Sequence, residues 1–361
     1  MIQHDPPETA RFFSLPLMDL SYAANLEDYH LARAFEGQAS GFYIDVGAGH
    51  PVADNVSCWF YLKGWHGIVI EPQPPLIELY PQVRPRDIPV GKLLGRTRGK
   101  ADFHLVDRLT GFSTIVAEHA KSAAKFGAEF RTCRMPMTTL AAICEEHEVK
   151  AIDFLKVDVE GAEGEVLEGG DFHRFRPRVV LAEALAPGTM AENFAEWENL
   201  LLEAGYVFVL FDGLNRFYVA CEEEALIARF PKTPAPWLVV RHLGHTNRAP
   251  ERSDHPDHAF ARALVAGFLA KLPRLDPKLL RSLLIEESNA ELRREPDASD
   301  RAAALARLFP VERHAEGVPR AEDIEAADIR ELYAKLMDSD QFRVMLGRIA
   351  ASYDGGQILD D

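Results

Sequence analysis

The sequence has little basic charge and few cysteines. Lys and Arg number 40 against 56 Asp and Glu, which leaves a formal charge of −16. This excess of negative charge disfavours an extended phosphate-binding surface, so we expect no nucleic-acid partner, although a local basic pocket is compatible with the composition. The cysteines Cys58, Cys133, Cys144 and Cys221 lie far apart without CxxC spacing. They predict reduced structural thiols rather than a zinc site or a disulfide framework.

Long apolar runs are also missing. No stretch approaches the eighteen uninterrupted apolar residues that a membrane span needs, and the N-terminus MIQHDPPETARFF lacks the basic cluster and apolar core of a signal peptide. We therefore expect no membrane span and a cytoplasmic location. The chain has 361 residues, 47% of them hydrophobic, so it can form two or three domains with a substantial core.

The stretch GFYIDVGAGHPVADN, residues 41–55, combines an apolar run with a glycine-containing turn. Its β-branched and aromatic residues predict a buried parallel strand, and Gly47-Ala48-Gly49 lets the backbone turn tightly and approach a ligand closely. The pattern indicates a strand that leads into a nucleotide-type pocket. An ordinary turn between strand and helix, without a ligand, is the alternative.

Further strands and helices alternate along the chain. HGIVIEP predicts a strand that ends at Glu71, AIDFLKVDVEGAEGEVLEGG (151–170) a strand followed by a helix, and RVVLAEAL (178–185) another strand. Weaker strand candidates lie at 86–90 and 101–106, and 115–126 looks helical. YVFVLF and RFYVACE flank an Asp-Gly turn and predict a hairpin. We expect an α/β fold whose doubly wound sheet is mostly parallel, with the antiparallel hairpin at its last edge.

Composition divides the chain into four parts. We expect an N-terminal arm and lead-in helix over 1–40, the α/β domain over 41–222, a linker rich in proline, histidine and charge over 223–258, and a helical C-terminal region over 259–361. The helical region could bind a partner, form a homo-oligomer or cover the pocket. Two HxxH pairs, His242 with His245 and His255 with His258, lack a helical context and favour a solvated linker over a metal site.

Acidic residues lie at or near the ends of the predicted strands: Asp45, Glu71, Asp158 and Glu183. In an open α/β sheet the ligand binds beyond these carboxyl ends. Glu71, 22 residues after Gly49, is placed to accept hydrogen bonds from both hydroxyls of a ribose. NAD and S-adenosylmethionine both fit this geometry. The third glycine position of the dinucleotide motif is Val52 here, which disfavours NAD, and an acidic rim suits a positively charged sulfonium.

Several ordered blocks resemble FkbM-type methyltransferases: FYIDVGAGHPVADNVSCWFYLKGWHGIVIEP, IDFLKVDVEGAEGEVLEGGDFHRFRP and WENLLLEAGYVFVLFDGLNRFYVA, with SYAANLEDYHLARAF and TGFSTI. The resemblance covers roughly residues 21–222. It implies a Rossmann-like, seven-stranded class I methyltransferase sheet, S-adenosylmethionine as cofactor and hydroxyl acceptors that are often sugars. It also implies that the cofactor lies over Gly47 and Gly49, and the candidate cofactor-binding residues are Asp45, Gly47, Ala48, Gly49, Glu71 and Ser113.

Methyl transfer to a hydroxyl requires an aligned acceptor and a base for its proton. Asp158 and Glu160, beside a glycine at a strand-to-helix junction, are the leading candidates. They could instead hold a divalent cation, or Asp158 could cap the helix while Glu160 complements its dipole. His50 is a second candidate base, because its ordinary pKa lies near neutrality, or else a loop histidine bonded to backbone.

Acceptor hydroxyls need directional acceptors and donors, and four side chains are candidates to bind them: Glu183, Asp212, Asn215 and Arg216. For Asp212 and Asn215, turn chemistry is the alternative. The sequence therefore favours an S-adenosylmethionine-dependent O-methyltransferase that acts on a sugar hydroxyl of a polysaccharide, glycolipid or glycosylated metabolite. An NAD-dependent oxidoreductase and a non-catalytic scaffold with a partner-binding tail are the alternatives.

Overall fold

The computed structural model describes residues 20–106, 113–122, 129–186 and 191–243, together with Met18, Ser253, His258, Asp340 and Val344. The chain divides into two units, Met1–Asn247 with Asp338–Asp361, and Arg248–Met337. All elements below lie in the first unit. The predicted helical region at 259–361 lies outside the described residues, apart from Asp340 and Val344, which are helical.

The described strands run through the whole of the first unit. They are β1 (Leu20–Ser21), β2 (Phe42–Val46), β3 (His66–Ile70), β4 (Ile88–Val90), β5 (Leu93–Leu94), β6 (Gly99–Val106), β7 (Phe130–Thr138), β8 (Ile152–Val157), β9 (Pro177–Glu183), β10 (Leu185–Ala186), β11 (Ala191–Glu192), β12 (Tyr206–Phe211), β13 (Asn215–Ala220) and β14 (Arg241–His242).

The described helices are short. They are α1 (Glu27–Ala34), α2 (Cys58–Leu62), α3 (Pro74–Ile77), α4 (Tyr80–Val83), α5 (Ala117–Ser122), α6 (Leu140–Glu146), α7 (Glu163–Glu168), α8 (Glu198–Glu203) and α9 (Glu224–Ile227), with 3₁₀ turns at Phe194–Glu196 and Trp237–Val239. None of these has the length and apolar composition that crossing a bilayer requires.

Seven strands form the main sheet, in the order β12-β13-β9-β8-β2-β3-β4. The five strands from β9 to β4 are parallel, and β13 runs antiparallel to both β9 and β12. The chain leaves β2 towards β3 on one side and returns to β8 on the other. The strand order therefore switches at β2 and β8, and the carboxyl ends of these two strands border the crevice where ligands bind in such sheets.

Both faces of the main sheet are buried, as expected for its near-continuous apolar strands. Ile44 and Leu155 pack with one hydrophobic cluster, while Tyr43 and Phe154, one residue earlier in each strand, pack with the other. Side chains alternate between faces with period two, so Asp45 and Lys156 share the face of Tyr43 and Phe154. These two charged residues are paired in register across β2 and β8.

The predicted mixed α/β architecture with a large sheet and an antiparallel edge hairpin is confirmed. Of the smaller sheet β5-β7-β6, only β6 was predicted, as the strand candidate 101–106, and β5 and β7 were missed. In β7, Cys133, Met135 and Met137 pack on a small apolar cluster, a period-two pattern that Pro136 obscures because proline disfavours a strand with neighbours on both sides. The described β5 pairs with β7 at Met137 and Thr138, beyond the proline.

The lead-in segment and the end of the described chain pack on the same side of the domain. β1 pairs with β14 in parallel, and the buried Val344 joins Tyr22, Val52 and Leu243 in one apolar cluster. The segment that composition marks as a linker thus contributes helix α9 and strand β14 to the first unit.

Candidate active site

The turn after β2 brings backbone unusually close to the turn after β8. Gly47 has φ +71°, and a Cβ placed on it would lie 1.7 Å from the carbonyl oxygen of Asp158. Only glycine fits this approach without a shift of one strand end. Gly49 has φ +59° but faces open space, with nothing within 4 Å of an added Cβ. Gly47 thus permits the close contact between the ends of β2 and β8, and Gly49 leaves open space beside the turn.

Glu71, at the end of β3, holds the glycine turn from the neighbouring strand. Its Oε2 accepts a hydrogen bond from the Gly49 N–H at 3.0 Å, and its Oε1 accepts one from the Gln73 N–H at 2.8 Å. The carboxylate is buried, which raises its pKa, although the two N–H groups oppose that shift. Each oxygen has a second lone pair, so the carboxylate keeps acceptor capacity for a ligand.

Lys156 is a buried cation between the two strand ends. Its Nζ donates to the Gly47 carbonyl at 2.7 Å and lies 3.3 Å from Asp158 Oδ2 and 3.6 Å from Asp45 Oδ1. Burial alone would lower the pKa of Lys156, but the charges of Asp158 and Asp45 raise it above its ordinary value. Asp45 is fully buried, and its other oxygen accepts from the Ser57 hydroxyl at 2.6 Å. The described contacts of Asp45 are thus with Ser57 and Lys156, in the buried interior beneath the glycine turn.

Four carboxyl groups gather at the ends of β8 and β9: Asp158, Glu160, Glu163 and Glu183. Burial and then the charges of Asp158, Glu160 and Glu163 raise the pKa of Glu183 far above its ordinary value. Burial and then Asp158 and Glu163 raise that of Glu160. The Asp158 side chain is the more open one, at 35% exposure. Burial and neighbouring acids thus raise the pKa values of both Glu160 and Glu183, and Asp158 forms an ion pair with Lys156.

Glu163 is a residue that sequence reasoning missed. It lies in the first turn of α7, and its Oε1 accepts hydrogen bonds from the N–H groups of Val159 and Gly161, both at 3.1 Å. Burial raises its pKa to about 7. The interpretation of Asp158 as helix cap is wrong, because the N-cap is Ala162 and Glu163 satisfies the N–H groups of the turn. An acid two residues after Gly161, in the first turn of the predicted helix, was the available signal.

The turn after β8 is held in an unfavourable backbone conformation. Glu160 has φ +58° and Gly161 has φ +94°. A left-handed conformation is costly for glutamate, and such residues cluster at functional sites. The Glu160 carbonyl accepts from Thr114 Oγ1 at 2.9 Å and lies 3.0 Å from His119 Nδ1. These contacts keep the Glu160 backbone in place.

Ser113 is connected to Glu71 through Gln73. Its hydroxyl donates to Gln73 Oε1 at 3.2 Å and accepts from the Val106 N–H at 3.1 Å. Gln73 in turn donates its backbone N–H to Glu71. The structure therefore brings Ser113 into the same group as Glu71 and Gly49.

His50 is bonded to its own loop. Its Nδ1 accepts hydrogen bonds from the Val52 N–H at 3.1 Å and the Ala53 N–H at 3.0 Å. The interpretation of His50 as a loop histidine bonded to backbone is confirmed. Nδ1 is committed to these two donors, so a base role would fall to Nε2, and that role stays a prediction.

The hairpin residues Asp212 and Asn215 also take part in turn chemistry. Asp212 Oδ1 accepts from the N–H groups of Leu214 and Asn215 at 2.8 and 2.6 Å. Asn215 Nδ2 donates to Oε1 of Glu27 at 2.8 Å, at the start of α1. Asn215 is paired in register with Glu183, so this group borders the acidic cluster. Glu27 is a further buried acid that sequence reasoning missed.

Arg216 points away from this group. Its guanidinium donates to Glu198 Oε1 at 2.7 Å and to the Tyr218 hydroxyl at 2.9 Å, and it lies 3.9 Å from the ring centroids of both Phe194 and Phe208. Since neighbours in a strand face opposite sides, Arg216 does not join Asn215. The described contacts of Arg216 are thus with Glu198 and the neighbouring aromatic rings, on the other face of the sheet from Asn215.

Metal-binding candidates find no support in the described residues. Within them, no group of three or more His, Cys, Asp or Glu side chains is arranged to hold a metal ion. His242 lies buried in β14, while His245 and His255 fall outside the described residues. A surface cavity of about 500 Å³ lies elsewhere and includes none of the predicted site residues; it is lined by Lys92, Arg98, Thr138, Ala142, Glu145 and Glu146.

The glycine turn, the acid at the end of β3 and the acidic turn after β8 all lie within one recognised family segment. Residues 45–208 match the family model described as the methyltransferase FkbM domain. This segment is an FkbM-type methyltransferase domain. No curated protein matches the chain significantly. The FkbM domain begins at Asp45, within β2, and ends within β12, so it includes Glu71, Ser113, Asp158, Glu160 and Glu183.

Proposed function

We propose that the protein is an S-adenosylmethionine-dependent O-methyltransferase that acts on a hydroxyl group of a sugar. The observation that carries the proposal is the bond between Glu71 and Gly49, beside the acidic turn after β8. This bond supports the proposal because it joins Glu71, the proposed ribose ligand, to the glycine turn, and Gly47 of the same turn lies against the Asp158 carbonyl. We further propose that the main sheet is the Rossmann-like sheet of class I methyltransferases.

The cofactor assignment rests on the fit of the residues present. Glu71 accepts from the backbone N–H groups of Gly49 and Gln73 and from the Gln73 side chain, which leaves acceptor capacity for a ribose hydroxyl. Gly49 leaves open space beside the turn. The position where a dinucleotide motif has its third glycine is Val52, which is fully buried and gives no approach for a pyrophosphate. The surrounding acids favour a positively charged ligand. When bound, the cofactor supplies an electrophilic methyl group.

The chain's own residues would position the acceptor and remove its proton. Asp158 is the candidate base, since its side chain is 35% exposed, whereas Glu163 and Glu183 are buried, and it lies at the crevice. Burial and acidic neighbours raise the pKa of Glu183, and in its protonated form this side chain would both donate and accept hydrogen bonds. A sugar hydroxyl has matching donor and acceptor needs, and this supports a glycan acceptor.

Calorimetric titration of the full chain tests the cofactor. We expect binding of S-adenosylmethionine and no heat from NADH. Tight binding of NADH with no response to S-adenosylmethionine would instead favour an oxidoreductase. Glu71→Gln should weaken S-adenosylmethionine binding, with the exposed Glu78→Gln as the matched control.

Mass spectrometry tests the reaction. The chain is incubated with S-adenosylmethionine and a panel of oligosaccharides, glycolipids and glycosylated metabolites, and products are screened for one added methyl group. Methylation that disappears in Asp158→Asn supports the assignment. Cofactor binding without methylation of any panel member would support the non-catalytic scaffold.

A further inference from the structure

The underside of the glycine turn carries a buried polar network that the proposed reaction does not use. The Ala48 carbonyl accepts two hydrogen bonds, from Asn55 Nδ2 at 2.8 Å and from the Tyr80 hydroxyl at 3.1 Å. The Pro51 carbonyl accepts a third, from Arg84 at 3.1 Å. Ligands would approach the open side of the turn, at Gly49, so these bonds hold it from the opposite side.

Arg84 is the centre of this network. Its side chain is fully buried, and each of its five N–H groups has an acceptor: Asp87 Oδ2, Pro51 O, Asn55 Oδ1, the Tyr43 hydroxyl and the Ser57 hydroxyl. A guanidinium has five donors in a fixed fork, so the arrangement uses all of its bonding capacity. The rings of Tyr43, Tyr61 and Tyr80 surround it at 5.1 to 5.7 Å.

A buried ion pair of this kind is poor evidence for stability. Arg84 and Asp87 both have 0% side-chain exposure, so both charges have been taken out of water. Apolar residues of similar volume often stabilise a fold as well as such a pair or better. What apolar residues cannot provide is directional bonding to Asn55, Ser57 and the Pro51 carbonyl. Ser57 extends the network to Asp45 at the end of β2.

We infer that Tyr80, Asn55 and Arg84 are positioning residues that fix the glycine turn in its ligand-binding conformation. A turn held in advance loses less conformational entropy when the ligand binds, so the network should set cofactor affinity without touching the cofactor. Tyr80 and Asn55 act through the Ala48 carbonyl, one residue before the N–H that Glu71 binds. The inference rests on the proposed function for the identity of the ligand.

The test compares two buried tyrosine hydroxyls. Tyr80 donates to the Ala48 carbonyl, and Tyr206 donates to the Pro177 carbonyl at 2.7 Å, at the opposite end of the sheet. Tyr80→Phe and Tyr206→Phe thus delete the same chemical group from similar environments. The Tyr80 hydroxyl also accepts from Asn55 Nδ2 at 3.0 Å, so Tyr80→Phe removes two hydrogen bonds of the network. We expect it to raise the Kd for S-adenosylmethionine about fivefold, and Tyr206→Phe to change it by less than about twofold.

Thermal melts of both variants separate positioning from general destabilisation. If the affinity loss follows the loss of melting temperature in both variants, the network is merely structural and the inference is overturned. Arg84→Lys keeps the charge but not the fork, so it should weaken binding more than Tyr80→Phe does. Should Arg84→Lys fail to fold, the tyrosine pair still decides.

Hydrogen exchange gives a readout that does not need the cofactor. In Tyr80→Phe the amides of Gly47, Ala48 and Gly49 should exchange severalfold faster than in the unmodified chain, while Tyr206→Phe should leave them unchanged. Equal protection in all three proteins overturns the inference. Failure of the unmodified chain to bind S-adenosylmethionine would overturn the proposed function, and the exchange result would still decide whether the network holds the turn.

Discussion

Glu71 binds two backbone N–H groups, so at the scale of single residues it is both a ligand candidate and a support for the turn. Its Oε2 holds Gly49, and its Oε1 holds Gln73, whose side chain contacts Ser113. Substitution of Glu71 would therefore remove the proposed ribose acceptors and also the two hydrogen bonds that hold Gly49 and Gln73. The two effects act in the same direction on affinity.

Replacing Glu71 should weaken cofactor binding. We expect Glu71→Ala to reduce the binding free energy of S-adenosylmethionine by about 1 to 3 kcal/mol, because hydrogen bonds to a carboxylate are lost. Isothermal titration measures the change. Glu78→Ala, the same substitution at an exposed position of the next segment, should leave the affinity unaltered. Unchanged affinity in Glu71→Ala would remove Glu71 from the site.

Replacing Asp158 should affect turnover rather than cofactor binding. Asp158→Asn keeps the shape of the side chain but removes the base, so we expect kcat to fall about 100-fold or more while the Kd of S-adenosylmethionine stays within a few-fold. Initial rates and titration measure the two quantities. Asp102→Asn, at an exposed ion pair with Arg134, is the control. A fully active Asp158→Asn enzyme would reject the catalytic role.

The acids at the strand ends could be predicted from the sequence, because each buried strand is an apolar run and the acid lies where that run ends. It did not locate Asn55, Tyr80 or Arg84. These residues lie in connecting segments and short helices, where polar residues show no periodicity. Their partners, such as the Ala48 carbonyl, are defined only once β2 and the segments after it have packed together.

At the scale of elements, the contact between the turns after β2 and β8 depends on one glycine. The central strands β2, β3, β8 and β9 were predicted because they are apolar on both faces. The sheet of β5, β6 and β7 was not predicted in full, since Pro136 interrupts an alternating pattern. The close approach of the two turns was also beyond prediction, because sequence shows a glycine but not the carbonyl that faces it.

Substitutions of the two glycines in the turn should have very different effects on stability. Gly47→Ala must move the Asp158 carbonyl and adopt a left-handed conformation, and we expect it to cost several kcal/mol of unfolding free energy. The Cβ of Gly49→Ala would meet no other atom, so we expect only the left-handed conformation to reduce the unfolding free energy, by about 1 to 2 kcal/mol. Urea denaturation measures both. Equal losses would show that the turns are not in close contact.

At the scale of the whole molecule, buried carboxyl groups should make stability depend on pH. Burial raises the pKa of Glu163 from its ordinary 4.5 to about 7 and that of Asp28 from 3.8 to about 6. The folded protein therefore binds more protons than the unfolded chain between these values. A group of this kind stabilises the fold fully below its unfolded pKa, and the contribution is lost as pH rises through the folded pKa.

Stability should fall as pH rises from about 5 to about 8. Glu163→Gln keeps an acceptor for the N–H groups of Val159 and Gly161 but cannot ionise, so it should reduce the pH-dependent loss by on the order of 1 to 3 kcal/mol. Denaturation curves at several pH values measure the slope. Glu203→Gln, at an exposed position, should leave the slope of stability against pH unchanged. A slope that is the same in all three proteins would contradict the assignment.

Glu160 suggests a limit on how stable this protein can become without losing activity. Its left-handed backbone would be easier for glycine, and removing its carboxyl would relieve the crowding of acids around Glu183. We expect Glu160→Gly to raise the unfolding free energy by about 1 kcal/mol and to lower methyl transfer, measured by denaturation and by initial rates. Glu148, exposed and with φ +51°, offers the same substitution away from the site, and Glu148→Gly should stabilise without cost to activity. A search for heat-resistant variants would then select against Glu160, a side chain that we predict to be a candidate base.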